Sequence, residues 1–556
     1  MSRDSGEEID ILENADEVIE NLSKELQDLY LYRDLFFENH PIKMALDKNK
    51  LVEEKKEELV KKLEEIDVDK QIPFPLRAQF LYLKGRCYNI NPAYDSRATQ
   101  CLSKAVKLNP HLVDAWNELG ECYWKNANIK EAKASFEGAL KHERNRLALR
   151  CLSIILRQES GAKKPKEATT AIVQSVELAK EAVAQDIKDG VSWTVLGNAY
   201  LCQFFMVSQD PGVLKACLSA YRQAWLDPIA KGQPDLYYNK GIALKYEEDY
   251  LEALQNFEYA CSLDPLWEPP RLELGRLTTY LTNTNSLVQT RGKMKVKKLT
   301  QMVQAKFPLK TVTGWALTSQ EKVDTFTQQL VKVFATNISS NAHGKSILLP
   351  NSYIVCAKIR KSLEEKQYCS SVFLDIQQAF DKVWHRLKIN RTQQYFSLLK
   401  SYLSERLFQS IDMKMLGAYG PNTLHSFGTR SDVKLERVKL GCLQEGTNEG
   451  KVVLAKVVGS IHSENAVPFT FAVVDESMES VCVTVYNWAD GRGAIIGDCV
   501  CIPEPKLTLH KYDKQTLKYE FKSIRLNSPM HLLLNGKRVS RDQFACTKAT
   551  STYEIH

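Results

Sequence analysis

Between residues 81 and 265 apolar and small residues recur at helical spacing. From Trp116 to Leu140 the chain reads WNELGECYWKNANIKEAKASFEGAL. Trp116, Leu119, Gly120 and Tyr123 fall on one face of a first helix, and Ala132, Phe136 and Ala139 on one face of a second. The glycine lets the second helix come close, and that helix returns small and aromatic residues into the contact. The arrangement recurs over 81–110 (Gly85, Tyr88, Ala98, Leu102, Ala105), over 193–228 (WTVLGNAY, Tyr221, Ala224) and over 237–265 (Gly241, Ala253, Phe257, Ala260). Asn109-Pro110, Asp227-Pro228 and Asp264-Pro265 end the second helices. The spacing predicts a degenerate helix pair over 147–188 and a lengthened turn near 203–214. Two helices, at about 9–38 and 43–66, come before the repeats. After residue 450 the period falls from 3.6 to 2. KVVLAKVVGSI, VPFTFAVVD, VCVTVYNW, GAIIGDCVCIPEP and LKYEFKSIRL are short β-branched runs divided by turn residues.

The helical offsets match W-x-x-L-G-x-x-Y followed by A-x-x-x-F-x-x-A, the tetratricopeptide repeat. Arrays of this kind present a concave groove lined by the first helix of each repeat, suited to an extended peptide or a partner helix. Gln79, Tyr82, Arg86, Asp114, Asn117, Glu121, Asn198, Asp235, Tyr238 and Lys245 are expected to face it. Each taken singly also reads as a solvated surface residue. The short strands predict an OB-type barrel. Phe469, Phe471 and Tyr486 are expected to fill it, with base stacking or protein contact as the alternatives. The run RGKMKVKKLTQMV (291–303) is basic and reads as a solvated helix face, or else as a nucleic-acid or import contact.

Composition narrows this picture only slightly. With 556 residues the chain is too long for one core. A net charge of +7 permits contact with nucleic acid or an acidic partner without arguing for either. The acidic opening MSRDSGEEIDILENADEVIE is not expected to act as a secretory signal, and no apolar run reaches membrane length. Fourteen Cys without a CxxC spacing are expected to be reduced, buried thiols, with no metal or other cofactor.

Further stretches carry a likeness to one family. They are DGVSWTVLGNAYL (189–201), CLSAYRQA (217–224), QPDLYYNKGIALKYEEDYLEAL (233–254), LDPLWEPPRL, GKMKVKKL, VPFTFAVVD (467–475), VYNW and IIGDCVCIPEPKLTLH. They resemble the tetratricopeptide repeat protein five, or Strap, family. The resemblance implies a non-enzymatic adaptor of nucleus and cytoplasm, without a membrane partner. Two roles follow from it: a stress-responsive transcription cofactor that joins an acetyltransferase coactivator to transcription-factor complexes, and a recogniser of nascent tubulin N-termini at the ribosome in tubulin mRNA decay. It also implies that Arg157, in IILRQ, and Asp235, in QPDLYYNK, face one groove and hold an Arg-Glu peptide and its free amine. A single-strand nucleic-acid-binding protein working through the barrel is the alternative.

The middle of the chain resembles something else. GWALTSQEKVDTFTQQLVKVF, IRKSLEEKQYCSSVFLDIQQAFDKVWHRL and YFSLLKSYLSERLFQ are similar to the reverse transcriptase of jockey-type non-LTR retrotransposons. The likeness makes Asp375 a vestigial Mg²⁺ ligand. Two-metal chemistry needs a further Asp-Asp pair, and none occurs after residue 385. The expected fold class is therefore multidomain: an all-α tetratricopeptide superhelix, then an all-β OB-type barrel, with a poorly ordered fragment inserted between. The expected boundaries are capping helices 1–75, repeats 76–285, basic helix or linker 286–309, inactive fragment 310–413, linker 414–450, OB domain 451–540 and tail 541–556.

Overall fold

The computed structural model describes residues 4–304 and 436–545, apart from 162–163, 462–467, 490, 515–516, 536 and 541–542. The fragment expected at 310–413, with Asp375, lies outside these residues.

The chain begins with α1 (Asp4–Asp34), the single turn α2 (Phe36–Asn39), α3 (Lys48–Glu65) and the single turn α4 (Val68–Gln71). The break between α1 and α3 falls inside the first predicted helix. Phe36 is fully buried there, stacked on His40 at 4.3 Å, and Pro41 follows in an extended conformation. Five helical hairpins come next: α5 (Arg77–Tyr88) with α6 (Ser96–Leu108), α7 (Val113–Lys125) with α8 (Ile129–His142), α9 (Arg146–Ser160) with α10 (Pro165–Gln185), and α11 (Gly190–Gln203) with α12 (Pro211–Ala224). After the single turn α13 (Pro228–Lys231), α14 (Pro234–Tyr246) pairs with α15 (Tyr250–Leu263). The long α16 (Glu268–Gln289) and the basic α17 (Val296–Gln304) complete the helical part. The lengthened turn after α11 is one π-helical stretch, Phe204–Ser208, stopped by Gln209 in the left-handed region.

Within three hairpins a glycine of the first helix lies under a ring of the second. A Cβ on Gly120 would sit 2.7 Å from Phe136, on Gly197 2.4 Å from Tyr221, and on Gly241 2.7 Å from Phe257. All three rings are fully buried. The missing side chain brings the helices within ring contact and gives each hairpin the same crossing.

The C-terminal part is a sheet of β1 (Glu436–Val438), β2 (Gly446–Thr447), β3 (Lys451–Ile461), β4 (Phe469–Val474), β5 (Ser480–Val485), β6 (Cys499–Pro503), β7 (Lys506–Lys514), β8 (Leu517–Leu526), β9 (Leu533–Leu534) and β10 (Lys537–Arg538). Two of these strands, β1 and β2, lie in the stretch 414–450 read as linker. β3 pairs antiparallel with β4, β4 with β5, and β5 runs parallel to β8. β6 and β7 are two halves of one strand, broken at Pro503-Glu504-Pro505 with Glu504 at φ 44°. The first half pairs with β3 and the second with β8, which closes the sheet into a barrel. Val453, Val457, Phe471, Val473, Val483, Val500 and Ile524 fill the interior.

The outside of the barrel is not free. Val458, Ala472, Val474, Cys482, Tyr519 and Phe521 share a cluster with Leu254, Phe257, Leu277 and Leu281 of α15 and α16. Strand alternation turns Val453, Ala455 and Val457 to the barrel core and Val458 to the helices, and a register shift follows between Val457 and Gly459. Polar contacts lock the joint. Glu248, fully enclosed at φ 65°, accepts from Thr484 Oγ1 at 2.7 Å and Tyr486 OH at 3.0 Å. Arg525 donates to the Tyr246 carbonyl at 2.5 Å and lies 4.0 Å from Glu248. Burial pushes the Glu248 carboxyl up, and Arg525 with the three hydroxyls draws it back.

Two outcomes follow. Gly292 has φ 70°, and a Cβ there would meet the Val458 carbonyl at 2.2 Å. Gly292→Ala should therefore cost about 1–3 kcal/mol, read as a lowered melting temperature. His510 hydrogen-bonds Ser523 at 2.7 Å between Tyr250 and Phe521, and burial lowers its pKa from 6.5 to about 4. The folded state thus binds fewer protons than the unfolded state between those values. Its contribution to stability is complete above pH 6.5 and is lost as pH falls toward 4. In urea titrations at pH 7 and pH 5, His510→Gln should show a smaller drop in midpoint than the unsubstituted chain.

Candidate peptide groove

The first helices of the hairpins, α5, α7, α9, α11 and α14, follow in order and carry the candidate groove residues, of which Gln79, Tyr82 and Asp114 lie on α5 and α7 beside the eight described below. The structure separates these residues into three groups.

Arg86 and Glu121 lie where α1 has already docked. The Arg86 guanidinium stands 4.3 Å over the Tyr30 ring, and its Nε is 3.2 Å from Glu118. Tyr30 OH donates to the Arg86 carbonyl at 3.0 Å. Glu118 also accepts from Asn89 Nδ2 at 2.8 Å. Burial, then the Glu121 charge, pushes the Glu118 carboxyl up to about 7, against the pull of Asn89, Arg86 and Lys125. Tyr30, Arg33 and Glu118 are absent from the sequence-derived set. The sequence places the first two on a capping helix and gives no sign that the helix turns into the groove.

Asn117, Tyr238 and Lys245 correct the sequence reading. Asn117 is buried and donates to Asn145 Oδ1 at 3.0 Å, which in turn caps α9 by accepting from Ala148 N at 2.9 Å. It is a strut between hairpins. Lys245 is committed to Glu273 of α16 at 2.6 Å, and Arg276 reaches the same carboxylate at 2.7 Å. Tyr238 packs on Trp267 and Phe257, with ring centroids 5.0 and 6.1 Å away.

Arg157, Asn198 and Asp235 form the third group, placed around Tyr221, whose hydroxyl bonds Asn198 and which feels the charges of both Arg157 and Asp235. Arg157 Nη1 donates to Ser153 Oγ at 2.8 Å, and Ser153 donates on to the Ser175 carbonyl at 2.7 Å. No carboxylate among the described residues pairs with this guanidinium. Burial lowers its pKa from 12.5 to about 10. Asn198 Oδ1 accepts from Tyr221 OH at 2.8 Å, and the Asn198 side chain also hydrogen-bonds Asp235. Asp235 stands in the first turn of α14, where the helix dipole favours a negative charge. Burial raises its pKa, while the backbone amides of Asp235 and Leu236 and the Asn198 amide offset part of the rise. Tyr221 occupies the position that Phe136 and Phe257 hold in the sister hairpins. Its extra hydroxyl is the sequence signal that could have added it to the set.

A desolvated cation without a counter-ion is complementary to a carboxylate, and a buried carboxylate to a guanidinium or ammonium group. No group of three or more metal-ligating side chains occurs among the described residues. The aromatic residues considered for base stacking are unavailable. Phe471 is in the barrel core, Phe469 packs on Trp488 at 5.3 Å, and Tyr486 is sealed in the joint with the helices. The basic run differs: Lys293, Lys295 and Lys297 are exposed.

Removing Arg86 leaves Glu118 buried beside Glu121 without its guanidinium. Arg86→Ala should cost on the order of 3 kcal/mol in chemical denaturation, and Glu118→Gln, which keeps a partner for Asn89, distinctly less.

Residues 434–548 match the model of the tetratricopeptide repeat protein 5 OB fold domain, and residues 113–145 and 234–265 match the tetratricopeptide repeat. The chain is 34% identical to tetratricopeptide repeat protein 5 of Bos taurus, over 97% of this chain and 98% of that protein. It is 33% identical to the Mus musculus protein of the same name, over 97% and 98%. A stretch of 59 residues is 51% identical to a probable RNA-directed DNA polymerase from transposon X-element of Drosophila melanogaster, 10% of this chain and 6% of that protein. The repeats, the barrel and the near-complete coverage agree: the chain belongs to the tetratricopeptide repeat protein 5 family.

Proposed function

We propose that this tetratricopeptide adaptor docks a short peptide between Arg157 and Asp235. The observation that carries the reading is the desolvated Arg157 guanidinium, without a carboxylate partner among the described residues, and the buried Asp235 carboxylate, both near Tyr221. A peptide with adjacent Arg and Glu, and a free amine, satisfies both charges at once. The N-terminus of nascent tubulin, Met-Arg-Glu-Ile, has this chemistry, and we assign the chain to tubulin mRNA decay at the ribosome. The same docking architecture suits assembly of acetyltransferase coactivator and transcription-factor complexes under stress, and hence residence in both cytoplasm and nucleus. The transposon-like fragment is inactive on this proposal, because Asp375 has no later Asp-Asp pair with which to hold two metals.

Asp235→Lys and Arg157→Glu should each reduce capture of a Met-Arg-Glu-Ile peptide by more than about 100-fold, measured by fluorescence anisotropy. Unchanged binding in either variant would overturn the assignment. The exposed lysines at 293–297 support nucleic-acid contact as a second reading. A binding constant for single-stranded RNA that falls steeply with salt would favour it, and a flat salt dependence would exclude it.

A further inference from the structure

Away from the groove, the seam between the fourth and fifth hairpins carries an exposed aromatic surface. α12 ends at Ala224, and Trp225 and Leu226 follow it into water, 51% and 67% exposed. Tyr259 of α15 is 43% exposed. Tyr237 of α14 joins them. Its hydroxyl reaches both Trp225 and Tyr259, and its ring centroid lies 4.5 Å from that of Tyr259. Asp235 stands two residues before Tyr237, about 200° around α14. The surface and the groove therefore lie on opposite sides of that helix.

This platform is held still from behind. Asp227 caps α13 by accepting from Ile229 N at 3.0 Å, and it also accepts from Gly190 N at 2.8 Å. The turn after α1 crosses to this end from the first hairpin, where Arg33 Nη1 donates to the Ile90 carbonyl at 3.0 Å. Phe37 and Ile42 of that turn pack on the cluster of Leu236, Tyr237, Ala260 and Leu263. A Cβ on Gly232, just after α13, would be 3.8 Å from the Phe37 ring. Large side chains fixed in this way make good anchors for a partner, because little freedom is lost when they are covered.

The charges around the platform are segregated. Lys231 holds its ammonium 4.4 Å over the Trp225 ring, and Arg222 is exposed one turn earlier on α12. Neither cation forms an ion pair among the described residues. The carboxylate between them in sequence, Asp227, is committed to backbone amides. On the other side, the Glu38 charge reaches Tyr237, and Glu258 precedes Tyr259 on α15. The α12–α13 side is thus basic and the α15 side acidic. We infer that this surface docks a short acidic segment of a partner protein. One aliphatic or aromatic side chain of the segment sits on Trp225, Leu226 and Tyr259, and its carboxylates meet Arg222 and Lys231. The groove stays free, so the chain holds two partners at once.

The test uses the full chain and a labelled peptide, Gly-Asp-Glu-Leu-Asp-Phe-Glu-Asp-Leu-Gly, followed by fluorescence anisotropy. The contact is small, so a dissociation constant on the order of 10–100 μM is expected. Replacing every Asp and Glu of the peptide by Lys should weaken binding at least about tenfold. Trp225→Ala should weaken it by a similar factor, at least about tenfold. Arg222→Glu combined with Lys231→Glu should do the same, and these surface changes carry the test if Trp225→Ala misfolds. Capture of a Met-Arg-Glu-Ile peptide should be unaltered by either set of changes; its loss would overturn the separation from the groove. The site is refuted by no binding at about 1 mM peptide, by equal binding of the lysine peptide, or by binding indifferent to both sets of changes. Self-association that Trp225→Ala abolishes, seen in sedimentation velocity without peptide binding, would give the surface to a second copy and sink the acidic segment.

Discussion

A glycine beneath an aromatic ring is the contact from which the helical part is built. At Gly120, Gly197 and Gly241 any Cβ would run into the facing ring at under 3 Å, so each hairpin is held at one crossing. Because the crossing repeats, the first helices stack side by side, and their residues come into line along one face. That alignment sets Arg157 of α9 and Asp235 of α14 on either side of Tyr221, which feels both charges. The same contact supplies the site with a tool. Where the ring is Tyr221 rather than Phe, its hydroxyl reaches Asn198, which also holds Asp235.

The joint between helices and barrel decides what the barrel can do. The outer faces of β3, β4, β5, β7 and β8 carry apolar residues that meet α15 and α16. Leaving such a face in water would expose a patch larger than soluble monomers usually tolerate. Covering it buries Tyr486 and gives Glu248 its hydroxyl partners. A surface that resembles a ligand platform in isolation is here an internal contact.

Much of this was legible in the amino-acid order. The hairpins show in the Gly-aromatic and small-residue offsets, since 3.6-residue periodicity and helix stops are local properties. The barrel strands show in alternating β-branched runs. β7 is the least legible of them, because Leu507 faces the barrel while His510 and Tyr512 face the helices and the alternation blurs. Asn117 and Lys245 were read as groove residues from their helical phase. Phase gives the side of a helix, not the neighbour that a side chain finds, and each found a partner from the next element: Asn145 and Glu273.

The sequence by itself therefore determined the repeat, the closed β domain and the family. Each follows from short-range spacing or from motifs within a few tens of residues. Only the tertiary structure decided that Arg157 has no counter-charge among the described residues, that the barrel aromatics are packed, and that the turn after α1 crosses from the first hairpin to the fifth. Those features depend on contacts between residues about 200 apart or more in several cases, and side-chain periodicity carries no record of such distances.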